Sequence, residues 1–225
     1  MQNFTTKTEL VTYLGQITKE KTIGFIPTMG ALHQGHLSLI EESKEKCDIT
    51  VCSIFVNPTQ FNTESDLADY PNTINADLEK LKQLACDIVY TPAIEDLYKK
   101  GEKAKAFDFG SLTTSMEGKF RPGHFNGMTT IVEKFFNIIQ PTIAFFGQKD
   151  LQQLQIVRAL VKQMNSPIEI VGGATIREKS GLAKSSRNEL LSENSKKEAA
   201  LIYSCLHYCK NNKKKEITEL KYYIQ

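Results

Sequence analysis

The stretch TIGFIPTMGALHQGHLSLIEESKEKCDITVCSIFV, residues 22–56, decides the fold. Residues 22–28 are rich in apolar and β-branched side chains, which predicts a strand. A glycine- and histidine-rich turn follows, and the periodic residues 35–46 predict a helix. Residues 49–56 are apolar on both faces, as in a strand buried inside a parallel sheet. This order of strand, helix and strand predicts a βαβ unit with a right-handed crossover.

The same alternation continues along the chain and predicts a doubly wound parallel sheet of class α/β. Further strands are predicted at residues 87–92, 142–148 and 168–173. Further helices are predicted from a cap at Asn72 or Thr73 to residue 86, then at 124–140, 150–164, 192–210 and 217–225. In such sheets ligands bind at the carboxyl ends of the strands. We expect two domains: a sheet domain, residues 1–175, and a smaller, shortened C-terminal lid domain, residues 176–225.

Composition excludes several functional classes. The 225 residues carry 28 Lys and Arg against 26 Asp and Glu, and this net charge of +2 lacks the basic excess of a nucleic-acid-binding protein. A hydrophobic content of 40% is too high for a disordered chain. No apolar run approaches the roughly 18 residues of a membrane span, and the start lacks a signal-peptide core, so we expect a cytoplasmic protein. The five cysteines form no metal or disulfide pattern, and we expect inert, reduced thiols.

Residues 27–36, PTMGALHQGH, form the first chemical motif, placed between a predicted strand and its helix. Gly30 and Gly35 let a ligand approach the backbone, and the helix start offers free N–H groups to an anion. His33 and His36 can point into one cavity and donate to phosphate oxygens. The alternatives are an incidental pair or a zinc site, which would lack a third ligand. The H-x-G-H pattern resembles the signature of nucleotidyl-transferring enzymes, including class I aminoacyl-tRNA synthetases.

Four more motifs follow predicted strands or open a predicted helix. Lys184, Ser185, Ser186 and Arg187 suit a polyphosphate whose charge grows during reaction. In FGQKD, residues 146–150, Lys149 can reach phosphate and Asp150 can accept from ribose. The uncharged amides of FVNPTQFN, residues 55–62, suit a small polar substrate. The cationic segment KFRPGHFNG, residues 119–127, has the character of an anion site. Each is also explained by an ordinary polar turn or helix start.

Taken together, six ordered segments resemble the pantothenate synthetase (pantoate–β-alanine ligase) family: PTMGALHQGH, FVNPTQF, DLADYP, FRPGHFNGMTTIV, FFGQKDLQQLQIV and GLAKSSRN. The resemblance spans residues 21–191. It implies a Rossmann-like nucleotidyltransferase domain, a smaller C-terminal domain and a homodimer. It also implies that ATP and Mg²⁺ activate pantoate as an acyl-adenylate with release of pyrophosphate. β-Alanine would then attack the adenylate to give pantothenate and AMP.

The resemblance also assigns residues to roles. The ATP site would comprise Met29, Gly30, Ala31, Leu32, His33, Gln34, Gly35, His36, Gly147, Gln148, Lys149, Asp150, Ile176, Lys184, Ser185, Ser186 and Arg187. Catalysis would rest on His36, the family's proton donor, with His33, Lys149, Ser185, Ser186 and Arg187 stabilising phosphate charge. Gln60 and Gln153 would hold pantoate, and Gln60 would also meet β-alanine. The metal ligands stay unassigned.

Two departures from the family pattern bear on activity. Lys184 stands where the family usually has methionine, and the C-terminal domain is shorter than the family's. The rival interpretations are another H-x-G-H nucleotidylyltransferase, a class I tRNA synthetase fragment, and an ATP-binding remnant without turnover. A nucleotidylyltransferase acting on a phosphorylated substrate would need cations where Gln60 and Gln153 stand, and a synthetase would need a basic surface.

Overall fold

The computed structural model describes residues 1–16 and 20–224, and its centre is one parallel sheet. Six strands lie within these residues: β1 (Gln2–Phe4), β2 (Ile23–Thr28), β3 (Ile49–Ile54), β4 (Ile88–Tyr90), β5 (Ile143–Gly147) and β6 (Glu169–Gly173). Their order across the sheet is β1-β4-β3-β2-β5-β6, with every neighbouring pair parallel. The predicted α/β class and the Rossmann-like, doubly wound sheet are confirmed.

Helices connect the strands and cover both faces of the sheet. Over the described residues they are α1 (Lys7–Gln16), α2 (Gln34–Lys46), α3 (Glu64–Ala68), α4 (Ile74–Gln83), α5 (Ile94–Leu97), α6 (Glu117–Phe120), α7 (His124–Ile139), α8 (Leu151–Gln163), α9 (Glu193–Asn211) and α10 (Ile217–Ile224). One apolar cluster packs α1, α7 and α8 against one face of the sheet, and a second packs α2 and α4 against the other. All six residues of β3 are buried, which accounts for its apolar character on both faces.

The structure corrects several predicted bounds. Five strands were expected and β1 was missed, because it is a short strand at the edge of the sheet, where it pairs with β4. The strand predicted at residues 49–56 ends at Ile54, and Pro58 then opens a 3-10 turn (Pro58–Gln60). The strand predicted at 87–92 is limited to β4. The last predicted helix extends to Gln225, and this residue lies outside the described residues.

The C-terminal region and the cysteines agree with the sequence patterns. Ser192 caps α9 by accepting the backbone N–H of Ser195. Among the described residues, all five cysteines are free, and Cys52 and Cys86 are buried. Burial raises the pKa of the Cys86 thiol to about 12, so it stays protonated. No helix within residues 1–16 and 20–224 has the length and apolar character needed to cross a membrane.

The topology fixes where a ligand can bind. The strand order reverses between β2 and β5, so the connections that leave these two strands run to opposite sides of the sheet. A crevice opens outside the carboxyl ends of strands at such a point. Thr28 ends β2 and Gly147 ends β5, and both lie at this crevice.

Candidate active site

A cavity of about 250 Å³ occupies this crevice. Segments far apart in the sequence converge on it: the turn after β2, the turn after β3, the starts of α7 and α8, and the loop after β6. The predicted site residues that line it are Met29, His33, Gly35, His36, Gln60, Gly147, Lys149, Asp150, Gln153, Ile176, Lys184, Ser185, Ser186 and Arg187. The structure therefore brings the imidazoles, the cations and the two glutamines that were predicted to bind substrate to one site.

Five residues assigned to ATP by resemblance lie outside the cavity lining. Gly30, Ala31 and Leu32 form the turn after β2, and Gln34 begins α2. Gln148 donates its side-chain N–H to the backbone oxygen of Gly172 at 2.8 Å. A contribution of these five residues to ATP binding stays a prediction.

The two imidazoles are fixed by the helix start that they form. His33 caps α2, and its Nδ1 accepts the backbone N–H of Gly35 at 3.1 Å. The backbone N–H of His33 is 3.3 Å from Nδ1 of His36 and donates to it, and the ring centroids lie 4.1 Å apart. Because Nδ1 accepts in each ring, the neutral imidazole carries its proton on Nε2. Each histidine therefore has one N–H to offer a ligand.

Burial and neighbouring cations keep both rings neutral. Burial, with the adjacent His33 and Lys149, lowers the pKa of His36 to about 3. Burial also lowers the pKa of His33, and Lys149 and Lys184 act in the same direction. At neutral pH the pair is thus a set of neutral hydrogen-bond donors beside ammonium groups. The two rings therefore offer N–H donors to a bound anion. Because both rings are neutral, the empty site does not have to bury two additional positive charges.

The loop of residues 184–187 contacts the turn after β2. The hydroxyl of Ser186 donates to the backbone oxygen of Ala31 at 3.0 Å. Lys184 pairs with Glu178 at 2.5 Å while also lining the cavity. Arg187 pairs with Asp66 at 3.2 Å. The loop thus places hydroxyl and cationic groups beside the imidazoles.

A network of buried amides forms another part of the cavity lining, which we call the amide wall. Asn57 is fully buried, and its side-chain N–H groups donate to Oε1 of Gln60 at 3.2 Å and to the backbone oxygen of Gly127 at 3.1 Å. The hydroxyl of Tyr98 donates to Oδ1 of Asn57 at 2.9 Å. These bonds fix the orientation of Gln60, while Gln153 reaches the cavity from α8. The residue types of the FVNPTQFN motif predicted that amide side chains bind a small polar substrate. No sequence pattern predicted Tyr98 as a member of this network.

The sequence motif at residues 119–127 adds a cation next to Gln60. Nδ1 of His124 donates to the backbone oxygen of Gln60 at 2.7 Å, and Arg121 donates to Nε2 of His124 at 3.3 Å. Arg121 also pairs with Glu117 at 2.8 Å. Burial lowers the pKa of His124, so its Nε2 is able to accept. Arg121 and His124 both line the cavity and were missed as individual site residues.

One carboxylate of the cavity lining, that of Asp150, lies near His33. Asp150 pairs with Lys149 at 2.7 Å and faces the same space as His33. Among the described residues, His, Cys, Asp and Glu form no group of three that could hold a metal ion. A single carboxylate fits Mg²⁺, which is commonly bound by substrate phosphates with one or two protein carboxylates.

Comparison with known proteins gives the family. The sequence profile of the family described as pantoate–β-alanine ligase matches residues 2–225. Pantothenate synthetase of Flavobacterium psychrophilum is 52% identical over 205 residues, which cover 90% of this chain and 73% of that protein. Pantothenate synthetase of Azobacteroides pseudotrichonymphae is 45% identical over 98% of this chain and 79% of its own length.

Solved structures give the same result. The crystal structure of pantothenate synthetase from Thermus thermophilus matches with a TM-score of 0.91 and 38% identity, covering 98% of this chain and 79% of that one. Pantoate–β-alanine ligase from Francisella tularensis, crystallised with β,γ ATP and β-alanine, matches with a TM-score of 0.88 and 38% identity, covering 92% and 79%. On these matches and on the shared fold, the chain belongs to the pantoate–β-alanine ligase family.

Proposed function

We propose that the chain joins pantoate and β-alanine to pantothenate, with ATP as co-substrate and a pantoyl-adenylate as intermediate. One observation carries the proposal: a single cavity is lined by imidazoles, ammonium groups and serines together with the oriented neutral amides of the amide wall. The imidazoles, ammonium groups and serines suit a triphosphate, and the neutral amides suit a small hydroxy-acid. The family membership and the ATP and β-alanine complex of the Francisella tularensis relative support the same activity.

In the first step, a carboxylate oxygen of pantoate attacks the α-phosphorus of ATP, and pyrophosphate leaves. The Nε2–H groups of His33 and His36 would donate to phosphate oxygens as neutral hydrogen-bond donors. Lys149 and Arg187 would balance the charge that develops on the leaving pyrophosphate, with the hydroxyls of Ser185 and Ser186 as further donors. Such preorganised donors commonly contribute about 10²–10³ each in rate.

The amide wall would hold pantoate in line with the α-phosphate. Gln60 and Gln153 would bind its hydroxyl and carboxylate oxygens, and Asn57 would keep Gln60 oriented. A phosphorylated acceptor, as in other H-x-G-H nucleotidylyltransferases, would meet neutral amides at these two positions, and that alternative is not favoured.

In the second step, the amine of β-alanine attacks the acyl carbon of the adenylate, the C–O bond to phosphate breaks, and AMP leaves. Arg121 lies beside the Gln60 turn, so we place the β-alanine carboxylate at its guanidinium and the amine near Gln60. No nucleophilic side chain is needed for this step. The proton from the ammonium would pass to solvent or to substrate phosphate.

The family resemblance implies further features of the site and of the whole protein, which we also propose. Mg²⁺ would be held by phosphate oxygens with Asp150, where it supplies charge neutralisation. Ile176 lines the cavity, and its backbone would lie along the adenine. We also propose a homodimer, a cytoplasmic location, and the division into residues 1–175 and 176–225.

A two-part assay tests the proposed function. The protein is incubated with ATP, Mg²⁺ and D-pantoate, and exchange of labelled pyrophosphate into ATP is measured with and without β-alanine. We expect exchange without β-alanine, and release of AMP once β-alanine is added. Exchange that requires β-alanine would contradict a free adenylate, and binding of ATP with neither exchange nor AMP release would identify the chain as a remnant without turnover.

A further inference from the structure

Asp77 is a fully buried carboxylate outside the cavity lining. It lies on α4, beneath the turn that joins β2 to α2. Its Oδ2 accepts the backbone N–H of Ala31 at 2.8 Å and the hydroxyl of Thr73 at 3.0 Å. Its Oδ1 accepts the backbone N–H of Leu32 at 2.8 Å. Both carboxylate oxygens are therefore engaged by the turn that leads directly to His33.

The turn needs an acceptor at this place. Gly30 and Ala31 have φ values of +79° and +50°, and the left-handed region is unfavourable for alanine. Two successive residues in this conformation turn the N–H groups of Ala31 and Leu32 toward α4. Without a charged acceptor these N–H groups would be buried and unsatisfied, and the turn would relax. The carboxylate thus compensates a strained backbone conformation that the path from Met29 to His33 requires.

A lysine of the same helix, α4, binds a backbone oxygen of the turn. Lys80 donates to the backbone oxygen of Leu32 at 2.6 Å, and its Nζ lies 3.7 Å from Oδ1 of Asp77. The backbone oxygen of Ala31 accepts the hydroxyl of Ser186, as described above. Ala31 therefore links the carboxylate on one side to the serine loop on the other.

We propose that Asp77 is a positioning residue for the adenylation step. By fixing the Gly30–Leu32 turn it sets His33 and His36 at the start of α2 and gives Ser186 its partner. The inference rests on the proposed function, because it assumes that these groups meet the triphosphate. Since pyrophosphate has left before β-alanine reacts, Asp77 matters more for the first step than for the second.

The substitution Asp77→Asn tests this with little change in size. An amide can accept one of the two N–H groups at its oxygen, but its NH₂ group faces the other. We expect pantoate-dependent exchange of pyrophosphate into ATP to fall at least about tenfold, and aminolysis of supplied pantoyl-adenylate to change less than about threefold. Hydrogen exchange at the amides of Ala31 and Leu32 should become faster.

Asp87→Asn is the matched control. The carboxylate of Asp87 also accepts a backbone N–H, that of Thr50 at 2.9 Å, but at the amino end of the sheet. This variant should keep pyrophosphate exchange within about twofold of wild type, because this bond lies at the opposite end of the strands from the cavity. Its melting temperature calibrates the cost of losing one such bond.

The outcomes separate the two proposals. If the wild type catalyses pyrophosphate exchange and Asp77→Asn does so at the same rate, the inference is overturned and the proposed function stands. Equal losses in both half-reactions would assign Asp77 a merely structural role, which also overturns it. No exchange by wild type would overturn the proposed function and the inference with it. If Asp77→Asn does not fold, Thr73→Val removes one donor to the carboxylate, and unchanged exchange with unchanged amide protection in that variant overturns the inference.

Discussion

Gly127 offers the sharpest test of how the amide wall is built. It lies in the first turns of α7, directly against the turn that carries Gln60. A Cβ added at Gly127 would lie 2.1 Å from the backbone oxygen of Thr59 and 2.7 Å from Cα of Gln60. Ordinary Cβ contacts begin at 3.4 Å, so the two segments must separate by about 1 Å. We therefore expect Gly127→Ala to displace the Gln60 turn as a unit.

The displacement should affect both stability and substrate binding. Overpacking of this kind typically lowers the free energy of unfolding by about 1–3 kcal/mol. Asn57 would also move relative to the backbone oxygen of Gly127, to which it donates at 3.1 Å. A misplacement of about 1 Å at a substrate-orienting group can cost about 10²-fold in rate. We expect a loss of that order in kcat/KM for pantoate, with a smaller change in KM for ATP.

The assay is pantoate-dependent pyrophosphate exchange over a range of pantoate and ATP concentrations, with thermal unfolding in parallel. Gly15→Ala is the control, because Gly15 lies in α1 and a Cβ there would meet nothing within 4 Å among the described residues. That variant should gain up to about 1 kcal/mol in stability and keep wild-type kinetics. Wild-type kcat/KM for pantoate in Gly127→Ala would refute the account of the amide wall.

Three further predictions concern charged and titratable groups at the cavity. The pKa of His36 is about 3 in the folded protein, so between pH 6.5 and 3 the unfolded chain binds more protons, and the free energy of unfolding decreases as the pH is lowered through this range. His36→Gln should remove up to about 1.4 kcal/mol per pH unit from that slope, as measured by urea unfolding at pH 7, 6 and 5, and identical slopes would contradict the burial of a neutral ring. Arg121→Met should raise KM for β-alanine about tenfold, because we place the β-alanine carboxylate at this guanidinium, and should reduce pyrophosphate exchange less, through the carboxylate of Asp66 that Arg121 shares with Arg187. Equal losses in both steps would contradict the placement of β-alanine at Arg121. Lys184→Met should raise KM for ATP about threefold, and this increase should be larger at low salt than at high salt. An unchanged KM would show that Lys184 pairs with Glu178 and does not contribute to ATP binding.

The sheet was predictable where burial leaves a continuous signal. Residues 22–28 and 49–56 are apolar because β2 and β3 are central strands covered on both faces, and the helices between strands keep one apolar stripe. The edge strand β1 has three residues, two of them exposed, so it has no such signal. Its position is set by pairing with β4, which is distant in sequence.

The site residues could be predicted where a sequence motif directly follows a strand, because the topology then places the motif at the crevice. Residues that support the site through contacts from another helix or loop could not be predicted in this way. Asp77 shows the difference. It lies on the same face of α4 as Ile74, Leu78 and Leu81, which pack into the core. A carboxylate inside an apolar stripe is a signal that could have been found, because a buried charge requires partners. The partners themselves, the N–H groups of Ala31 and Leu32, could not be identified without the three-dimensional contact.

The loop of residues 184–187 shows why the rest of the site depends on long-range packing. The segment that leads into it forms a bridge between Arg177 and Ala183, and the guanidinium of Arg177 lies 4.2 Å from the ring centroid of Tyr203 on α9. A Cβ at Gly181 would lie 2.3 Å from that ring, so only glycine lets the segment lie so close to α9. Ser186 then joins the loop to the turn after β2. The cationic loop is therefore held by α9 on one side and by the Asp77-supported turn on the other, and neither contact leaves a periodic pattern in the sequence.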